Sequence, residues 1–195
     1  MQIAADSGLD HARTAGWTVD VGVGDFDSVA PDTLGRAEAE GVELIHHAPD
    51  KDRTDLELAL TLARERATGT VLVVGGSGGR VDHFAGNHGV LAAAQYASLQ
   101  IEAWMGTATV WVVRGERRFH LPPGALVSLV PMHGPAGDIV TEGLHWPLQH
   151  ETLPPGSGRG MSNRVGAGPV RIAVGDGVLL AVAPGGVPGE DPWRS

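Results

Sequence analysis

The chain has 195 residues, of which 42% are hydrophobic and 19% are charged, and its formal net charge at pH 7 is −9. This length and composition suit one ordinary globular domain or two small ones, and the negative charge argues against a nucleic-acid partner bound through its phosphate backbone. The sequence has no cysteine, which excludes disulfides, thiolate metal sites and cysteine nucleophiles.

No targeting or membrane segment is recognisable in the sequence. The amino terminus lacks the basic stretch followed by an apolar stretch that marks a signal peptide. No apolar run approaches the roughly 20 residues that a membrane helix needs. We therefore expect a soluble, cytoplasmic protein with no membrane partner.

The first half of the sequence alternates strand-like and helix-like segments. Strands are predicted at 19–24, 42–47 and 70–76, and the last of these is apolar on both faces, as in a parallel sheet covered by helices. Helices are predicted at 52–66 and 81–97. This alternation predicts an α/β fold with right-handed βαβ units and a Rossmann-like parallel sheet that has helices on both faces.

The pattern changes after about residue 105. The segments there are short, rich in β-branched residues and separated by Gly and Pro, which is typical of an antiparallel sandwich or barrel. These strands are predicted at 107–121, 125–132, 168–175 and 177–184. We therefore predict an α/β domain over 1–105, an all-β sandwich domain over 106–184 and a disordered tail over 185–195.

Three polar clusters each follow a predicted strand of the first half. They read GDFDS (24–28), PDKDRTD (49–55) and GGSGGRVDH (75–83), and the second and third also open a predicted helix. Ligands of open α/β sheets bind at the carboxyl ends of the strands. We therefore expect the three clusters to meet at one edge of the sheet.

The first two clusters carry groups suited to a metal ion and a phosphate. Asp25 and Asp27 are paired carboxylates whose repulsion a divalent cation would relieve, and Mg²⁺ prefers one or two carboxylates plus substrate phosphates. Asp52 and Asp55 stand three apart at the predicted start of a helix, so they should project in similar directions. Lys51 supplies a positive charge for phosphate oxygens.

The third cluster can bind an anion. Its glycines let backbone N–H groups approach an anion at a helix amino terminus. Arg80 can make bidentate hydrogen bonds to phosphate oxygens, and Asp82 can orient Arg80 or a metal-bound water. Each cluster alone also fits a solvated turn or a capped helix start, but three in succession favour Mg²⁺-assisted handling of a phosphorylated ligand such as a nucleotide.

These motifs resemble those of a known family. ADSG (5–8), GDFDS, DKDRTD and GGRVDH, in this order and spacing, look like the motifs of the thiamine pyrophosphokinases. In the second half, TEGLHWPL (141–148) and GMSNRV (160–165) are similar to the family's Gly-Leu-x-Trp and Ser-Asn segments. The resemblance extends to about residue 183.

The resemblance implies a fold and a reaction. It implies a nucleotide-binding catalytic domain followed by a β-sandwich that binds thiamine, in a homodimer with active sites between subunits. It also implies Mg²⁺-dependent transfer of a pyrophosphoryl group from ATP to the hydroxyl of thiamine, giving thiamine diphosphate and AMP. Members of the family usually begin with a further strand and turn ahead of ADSG. The resemblance therefore implies either that the sequence as given starts late, through a misplaced gene start or a cut, or that this version lacks the first βα unit.

The resemblance also implies site residues, matched motif by motif. The metal ligands would be Asp25, Asp27 and Asp55. The residues that meet or organise the phosphates would be Lys51, Asp52, Arg80 and Asp82, and either Asp52 or Asp55 could accept the proton of the alcohol. The remaining cofactor-binding residues would be Asp6, Gly8, Ser28 and Gly79, and Ser162 and Asn163 would line the thiamine site.

Other interpretations of the sequence stay open. The phosphate-side clusters would equally serve pyrophosphoryl transfer to another alcohol, such as a hydroxymethylpterin. A glycosyltransferase would use the Asp-x-Asp pair with a metal, but it leaves the other two clusters unexplained. A catalytically weak thiamine-binding protein is the non-enzymatic alternative. Trp146 could stack on the cationic thiamine ring or belong to the sandwich core.

Overall fold

The computed structural model describes residues 1–50, 52–66, 69–78 and 80–186. These residues fall into two compact units, which divide between residues 68 and 69. None of the helices in the described ranges is long and apolar enough to cross a membrane.

The first unit is built from alternating strands and helices. Its elements are β1 (Ile3–Ala5), α1 (Gly8–Thr14), β2 (Val21–Gly24), α2 (Pro31–Ala39), β3 (Glu43–His46) and α3 (Asp55–Arg66). The strands form a parallel sheet in the order β1-β2-β3. The sequence predicts β2, β3 and α3 to within three residues at each end, but it gives no periodic signal for β1, α1 and α2.

Close packing surrounds Gly22 in strand β2. Gly22 lies in the buried strand β2, and a Cβ atom there would come 2.8 Å from Leu44 Cδ2 and 3.4 Å from Phe26 Cε1. The core of this unit contains Leu9 of α1 and Phe26, and α3 packs against β1 and β2. A Cβ atom at Gly22 would also come 3.3 Å from Leu9 Cδ1. The absence of a side chain there therefore allows α1 and the loop after β2 to approach the sheet closely.

The second unit is mostly strand. Its elements are β4 (Gly69–Val74), α4 (Val81–Leu91), a short 3₁₀ turn (Ala94–Tyr96), β5 (Leu99–Met105), β6 (Ala108–Phe119), β7 (Leu126–Pro131), β8 (Ala136–Glu142), β9 (Gln149–Leu153), β10 (Asn163–Arg164) and β11 (Val170–Ala183). The eight strands form one sheet in the order β10-β7-β11-β6-β5-β4, with β8 paired to β11 and to β9. Only the β4–β5 pair in this described sheet is parallel.

The long strand β11 organises this sheet. It pairs with β6 along most of its length, with β8 through its first half and with β7 through its second half. The register shifts between Val174 and Leu179. The prediction of two separate strands at 168–175 and 177–184 is therefore wrong, because the glycines between them form a bulge within one strand rather than a turn.

Strand β4 forms where the sequence predicts a strand at 70–76, and it lies at one end of the strand order. It is half exposed along its length, and Leu72 is 47% exposed. Strand β4 ends the strand order of this sheet and pairs only with β5 in the part of the chain that the structure describes, and helices on both of its faces stay a prediction.

The order of the two kinds of sheet agrees with the sequence prediction, whereas the boundary between the two units differs from the predicted domain boundary. A parallel sheet with helices precedes a larger, mostly antiparallel sheet, as an α/β unit followed by a β-rich unit requires. The boundary predicted near residue 105 falls at the β5–β6 turn, inside the second unit. The three predicted domain ranges stay predictions, and most of the predicted tail, residues 187–195, lies outside the described residues.

Candidate active site

Three carboxylates of the first unit converge. Asp6 follows β1, and Asp25 and Asp27 follow β2, so neighbouring parallel strands deliver them to the same edge. One oxygen from each of the three lies within 4.8 Å of the others. The structure thus brings Asp25 and Asp27 together as the sequence predicts, and it groups Asp6 with them. Asp55, the third predicted metal ligand, is not part of this group, and its role in binding the metal stays a prediction.

An unusual backbone holds these side chains in place. Asp6 and Phe26 both adopt the left-handed conformation, with φ of +46° and +60°, which is costly for residues other than glycine. The N–H of Asp6 donates to the carbonyl of Val23 at 3.0 Å, and a Cβ atom on Gly24 would lie 3.3 Å from Asp6. The ring of Phe26 is buried and meets His46 edge to face at 4.8 Å. Packing of that ring therefore stabilises the strained loop between Asp25 and Asp27.

The electrostatics of Asp6 indicate a site that favours a cation. Burial raises the pKa of Asp6 above its ordinary value of 3.8, and the charges of Asp55, Asp25 and Asp27 raise it further, while a backbone hydrogen bond from Ser7 opposes them. The Oδ1 atom of Asp6 is buried and has no hydrogen-bond partner among the described residues. A set of carboxylate oxygens with this repulsion fits a hard divalent cation such as Mg²⁺.

Two neighbouring residues support this loop. The Ser28 hydroxyl donates to Asp27 Oδ1 at 2.9 Å, and the Asp27 N–H donates to Asp25 Oδ1 at 3.4 Å. Gly8 begins α1 directly after the Asp6 turn, and a Cβ atom there would meet only Ala4 at an ordinary 3.9 Å. The structure therefore places Ser28 and Gly8 beside the acidic residues, and their predicted contacts with a nucleotide stay predictions.

The start of α3 differs from the sequence prediction. Thr54 and Glu57 form a reciprocal cap, in which the Thr54 N–H donates to Glu57 Oε2 at 2.9 Å and the Glu57 N–H donates to Thr54 Oγ1 at 3.3 Å. The helix therefore begins at Asp55, and Asp52 lies exposed before it. The expectation that Asp52 and Asp55 share one helical face is wrong for this reason. Lys51 lies outside the described residues.

The glycine-rich cluster belongs to the second unit. Arg80 makes a bidentate pair with Asp82, Nε to Oδ1 at 3.2 Å and Nη2 to Oδ2 at 2.6 Å. This pairing, with a backbone hydrogen bond from His83, lowers the pKa of Asp82 to about 2. Asn87 Nδ2 donates to the carbonyl of Gly76 at 3.0 Å and anchors the loop. Asp82 thus orients Arg80 as predicted, whereas Gly79 lies outside the described residues.

The predicted thiamine-site residues lie at β10 and have different surroundings. Ser162 is exposed, has a φ of +55° and donates its N–H to Ser128 Oγ at 3.0 Å. Asn163 is buried, and its side chain is hydrogen-bonded to the backbone of Trp146. Trp146 is 48% exposed, so the alternative that it belongs to the core is wrong.

Sequence reasoning missed the position of Asp6 beside the Asp25–Asp27 pair. The available signal was that Asp6, like Asp25, directly follows a short stretch of small apolar residues. That stretch has only three residues in the strand, too few for a periodic pattern to identify it.

Comparison with known proteins gives the same family for both parts of the chain. Residues 1–103 match the family model described as thiamin pyrophosphokinase, catalytic domain, and residues 115–179 match thiamin pyrophosphokinase, vitamin B1 binding domain. Thiamine pyrophosphokinase of Bacillus subtilis (strain 168) is 25% identical over 191 residues, which cover 92% of this chain and 85% of that protein. Thiamine pyrophosphokinase 1 of Oryza sativa subsp. japonica is 26% identical over 175 residues, 84% of this chain, and the match spans only 66% of the rice protein.

Solved structures agree with these matches. The crystal structure of thiamine pyrophosphokinase from Bacillus subtilis superposes with a TM-score of 0.80 at 25% identity, covering 93% of this chain and 85% of that one. The thiamin pyrophosphokinase of Candida albicans superposes with a TM-score of 0.73 at 15% identity, covering 93% of this chain and 81% of that one, which supports the fold alone.

Proposed function

Because the chain belongs to the thiamine pyrophosphokinase family, we propose that it transfers the pyrophosphoryl group of ATP to the hydroxyl of thiamine, giving thiamine diphosphate and AMP. The observation that carries this proposal is the convergence of Asp6, Asp25 and Asp27 within 4.8 Å at the carboxyl ends of neighbouring parallel strands. Such a group suits a metal-bound polyphosphate at the edge where ligands of α/β sheets bind.

The proposal includes the finer architecture that the family implies. The first domain would be a Rossmann-like nucleotide-binding domain and the second a β-sandwich that binds thiamine, in a cytoplasmic homodimer with active sites between subunits. The parallel sheet β1-β2-β3 supports nucleotide binding by the first domain, and the mostly antiparallel sheet around β11 supports a β-rich second domain.

The metal in this proposal is Mg²⁺, held by Asp6, Asp25 and Asp27. When bound, Mg²⁺ would neutralise negative charge on the phosphates. The chain's own contribution is a set of carboxylates fixed by strained backbone and by the Ser28 hydrogen bond, so little reorganisation is needed when the cation binds. Asp55 adds a further negative charge that acts on Asp6.

Other side chains would act on the phosphates and on the alcohol. Arg80, oriented by Asp82, would exchange part of that pairing for phosphate oxygens, since both side chains are exposed. Lys51 would add positive charge to the same phosphates. Either Asp52 or Asp55 would accept the proton of the thiamine hydroxyl as the oxygen attacks phosphorus.

The second unit would bind thiamine through exposed groups. Ser162 offers a hydroxyl directly before β10, and Trp146 offers a half-exposed indole. Thiamine carries a positive charge, and a cation over an indole face is attracted to it. Gly8 and Gly79 would contribute to nucleotide binding, because a residue without a side chain lets its backbone N–H come close to a phosphate.

The test is a stoichiometric product assay. The purified chain is mixed with ATP, Mg²⁺ and thiamine, and AMP and thiamine diphosphate are separated by chromatography and quantified. Equal amounts of the two products are expected, with none in EDTA and none for Asp25→Asn. Thiamine binding by calorimetry without AMP release would instead indicate a binding protein. AMP release only with a hydroxymethylpterin as acceptor would indicate a different alcohol.

A further inference from the structure

The side chain of Asn163 is engaged with backbone rather than open to a ligand. It is only 3% exposed. Its Oδ1 accepts the N–H of Trp146 at 3.1 Å and the N–H of Arg164 at 2.8 Å, and its Nδ2 donates to the carbonyl of Trp146 at 2.7 Å. An Asn side chain offers two acceptor lone pairs and two donor hydrogens. Both acceptor sites and one of the donors are therefore used within the protein.

The pairing with Trp146 extends a short backbone ladder. Leu144 and Val165 form an antiparallel bridge, and the His145 N–H donates to the carbonyl of Arg164 at 2.8 Å. The amide of Asn163 then acts as a peptide group would, because it accepts from the N–H of Trp146 and donates to its carbonyl. Both backbone groups of Trp146 are fixed while its indole remains half exposed.

We propose that Asn163 is a positioning residue, which fixes the backbone of Trp146 so that the exposed indole is presented to thiamine, and that Asn163 itself does not contact thiamine. The choice of thiamine as the ligand rests on the proposed function. The interaction between Asn163 and Trp146 rests on the hydrogen bonds alone. The indole edge contact with His145, at 4.6 Å between ring centroids and 86° between planes, limits the orientations that the fixed backbone allows.

The geometry distinguishes this role from direct binding. A ligand-contacting Asn would need exposed amide atoms, whereas Asn163 has almost no accessible surface. In Asn163→Asp, a carboxylate oxygen would face the Trp146 carbonyl, 2.7 Å away in the wild type, with no hydrogen to donate. The two oxygens would repel, and the segment carrying Trp146 would move away.

The experiment combines kinetics with fluorescence. Asn163→Asp and Asn163→Ser are prepared in the wild-type and in the Trp146→Phe background, so that subtraction isolates the emission of Trp146 from that of the other tryptophans. The matched control is Thr109→Val, which alters another buried polar side chain of the same unit, on β6. All measurements are made below the unfolding transition of each variant.

We expect both Asn163 variants to raise the KM for thiamine by about tenfold or more, with kcat and the KM for ATP little changed. The isolated Trp146 emission should shift to longer wavelength with lower anisotropy, and Thr109→Val should change neither quantity. An unchanged Trp146 emission, or a changed emission with an unchanged KM for thiamine, would overturn the inference.

A measurement on the wild-type chain covers the case in which the variants do not fold. The side-chain amide of Asn163 is assigned by NMR in the ¹⁵N-labelled protein and followed during a thiamine titration. A positioning residue should show slow hydrogen exchange with and without thiamine and only a small shift. A large shift of this amide with new protection on binding would show direct contact and reject the proposal. If the wild type makes no thiamine diphosphate, the proposed function fails, while emission and exchange still decide whether Asn163 fixes Trp146.

Discussion

Asp6 combines features that destabilise a carboxylate when no cation is present. It is partly buried, one of its oxygens has no hydrogen-bond partner among the residues that the structure describes, and three other carboxylates raise its pKa. A raised pKa in the folded state means that the folded chain binds a proton more tightly than the unfolded chain does. This residue therefore favours folding at low pH, and that contribution is lost as the pH rises through the folded pKa.

We predict that Asp6→Asn stabilises the fold without metal and destabilises it, relative to the wild type, when Mg²⁺ is bound. Without metal at neutral pH, Asp6→Asn should increase the free energy of unfolding by about 1 kcal/mol, because it removes like-charge repulsion. With saturating Mg²⁺ the order should reverse, since the variant loses a ligand. Thermal unfolding in EDTA and in Mg²⁺ measures both. Glu65→Gln, which changes an exposed acid on α3, is the control and should behave alike in the two conditions. A variant less stable than wild type in EDTA would contradict the argument.

Residue-level chemistry was partly predictable from the sequence. The Asp25–Asp27 pair is visible because it directly follows an apolar strand and because like charges so close together need a reason. The role of Asn163 was not visible, because no sequence pattern shows whether an amide faces a ligand or the backbone of a residue 17 positions away. Hydrogen-bond partners of that kind are created only by the fold.

At the level of elements, the glycines of β11 are compatible with either a turn between two strands or a bulge within one strand. Gly175 and Gly177 separate two apolar runs, a pattern that predicts a turn between two strands. Gly177 has a φ of +82°, and a Cβ atom there would come 2.5 Å from the carbonyl oxygen of Pro135. Local propensity cannot distinguish a turn from this bulge, because a glycine with a positive φ fits either, and only pairing with β6 on both sides of the bulge decides between them.

The bulge predicts a specific cost of substitution. Gly177→Ala should lower the free energy of unfolding by about 3 kcal/mol, from the left-handed backbone together with the overlap on Pro135. Gly168→Ala is a matched control, because Gly168 has a φ of +87° with no atom within 4 Å of the added Cβ. It should cost only about 1–2 kcal/mol. Denaturant unfolding of both variants measures the difference, and equal costs would show that the close approach to Pro135 does not constrain the bulge.

At the level of the whole molecule, the acidic cluster and the β-rich sheet lie in different units. Asp6, Asp25 and Asp27 all belong to residues 1–68, whereas β6 and β11 belong to the second unit. The sequence anticipates this coarse organisation because strand–helix alternation and short β-branched runs differ clearly in pattern. It does not fix where the units divide, since β4 and β5 look like further strands of the first sheet until their pairing with β6 is known.

This division predicts a localised response to metal. Mg²⁺ alone, without ATP or thiamine, should slow amide hydrogen exchange in β1, β2 and the loop of Phe26, because the cation links groups that otherwise repel. Exchange in β6 and β11 should stay the same within error. Hydrogen exchange followed by mass spectrometry, with and without Mg²⁺, measures this, and Asp25→Asn serves as the variant in which the response should disappear. Equal protection across both units would mean that the cation acts on the molecule generally, and the assignment of the metal to these three carboxylates would then be rejected.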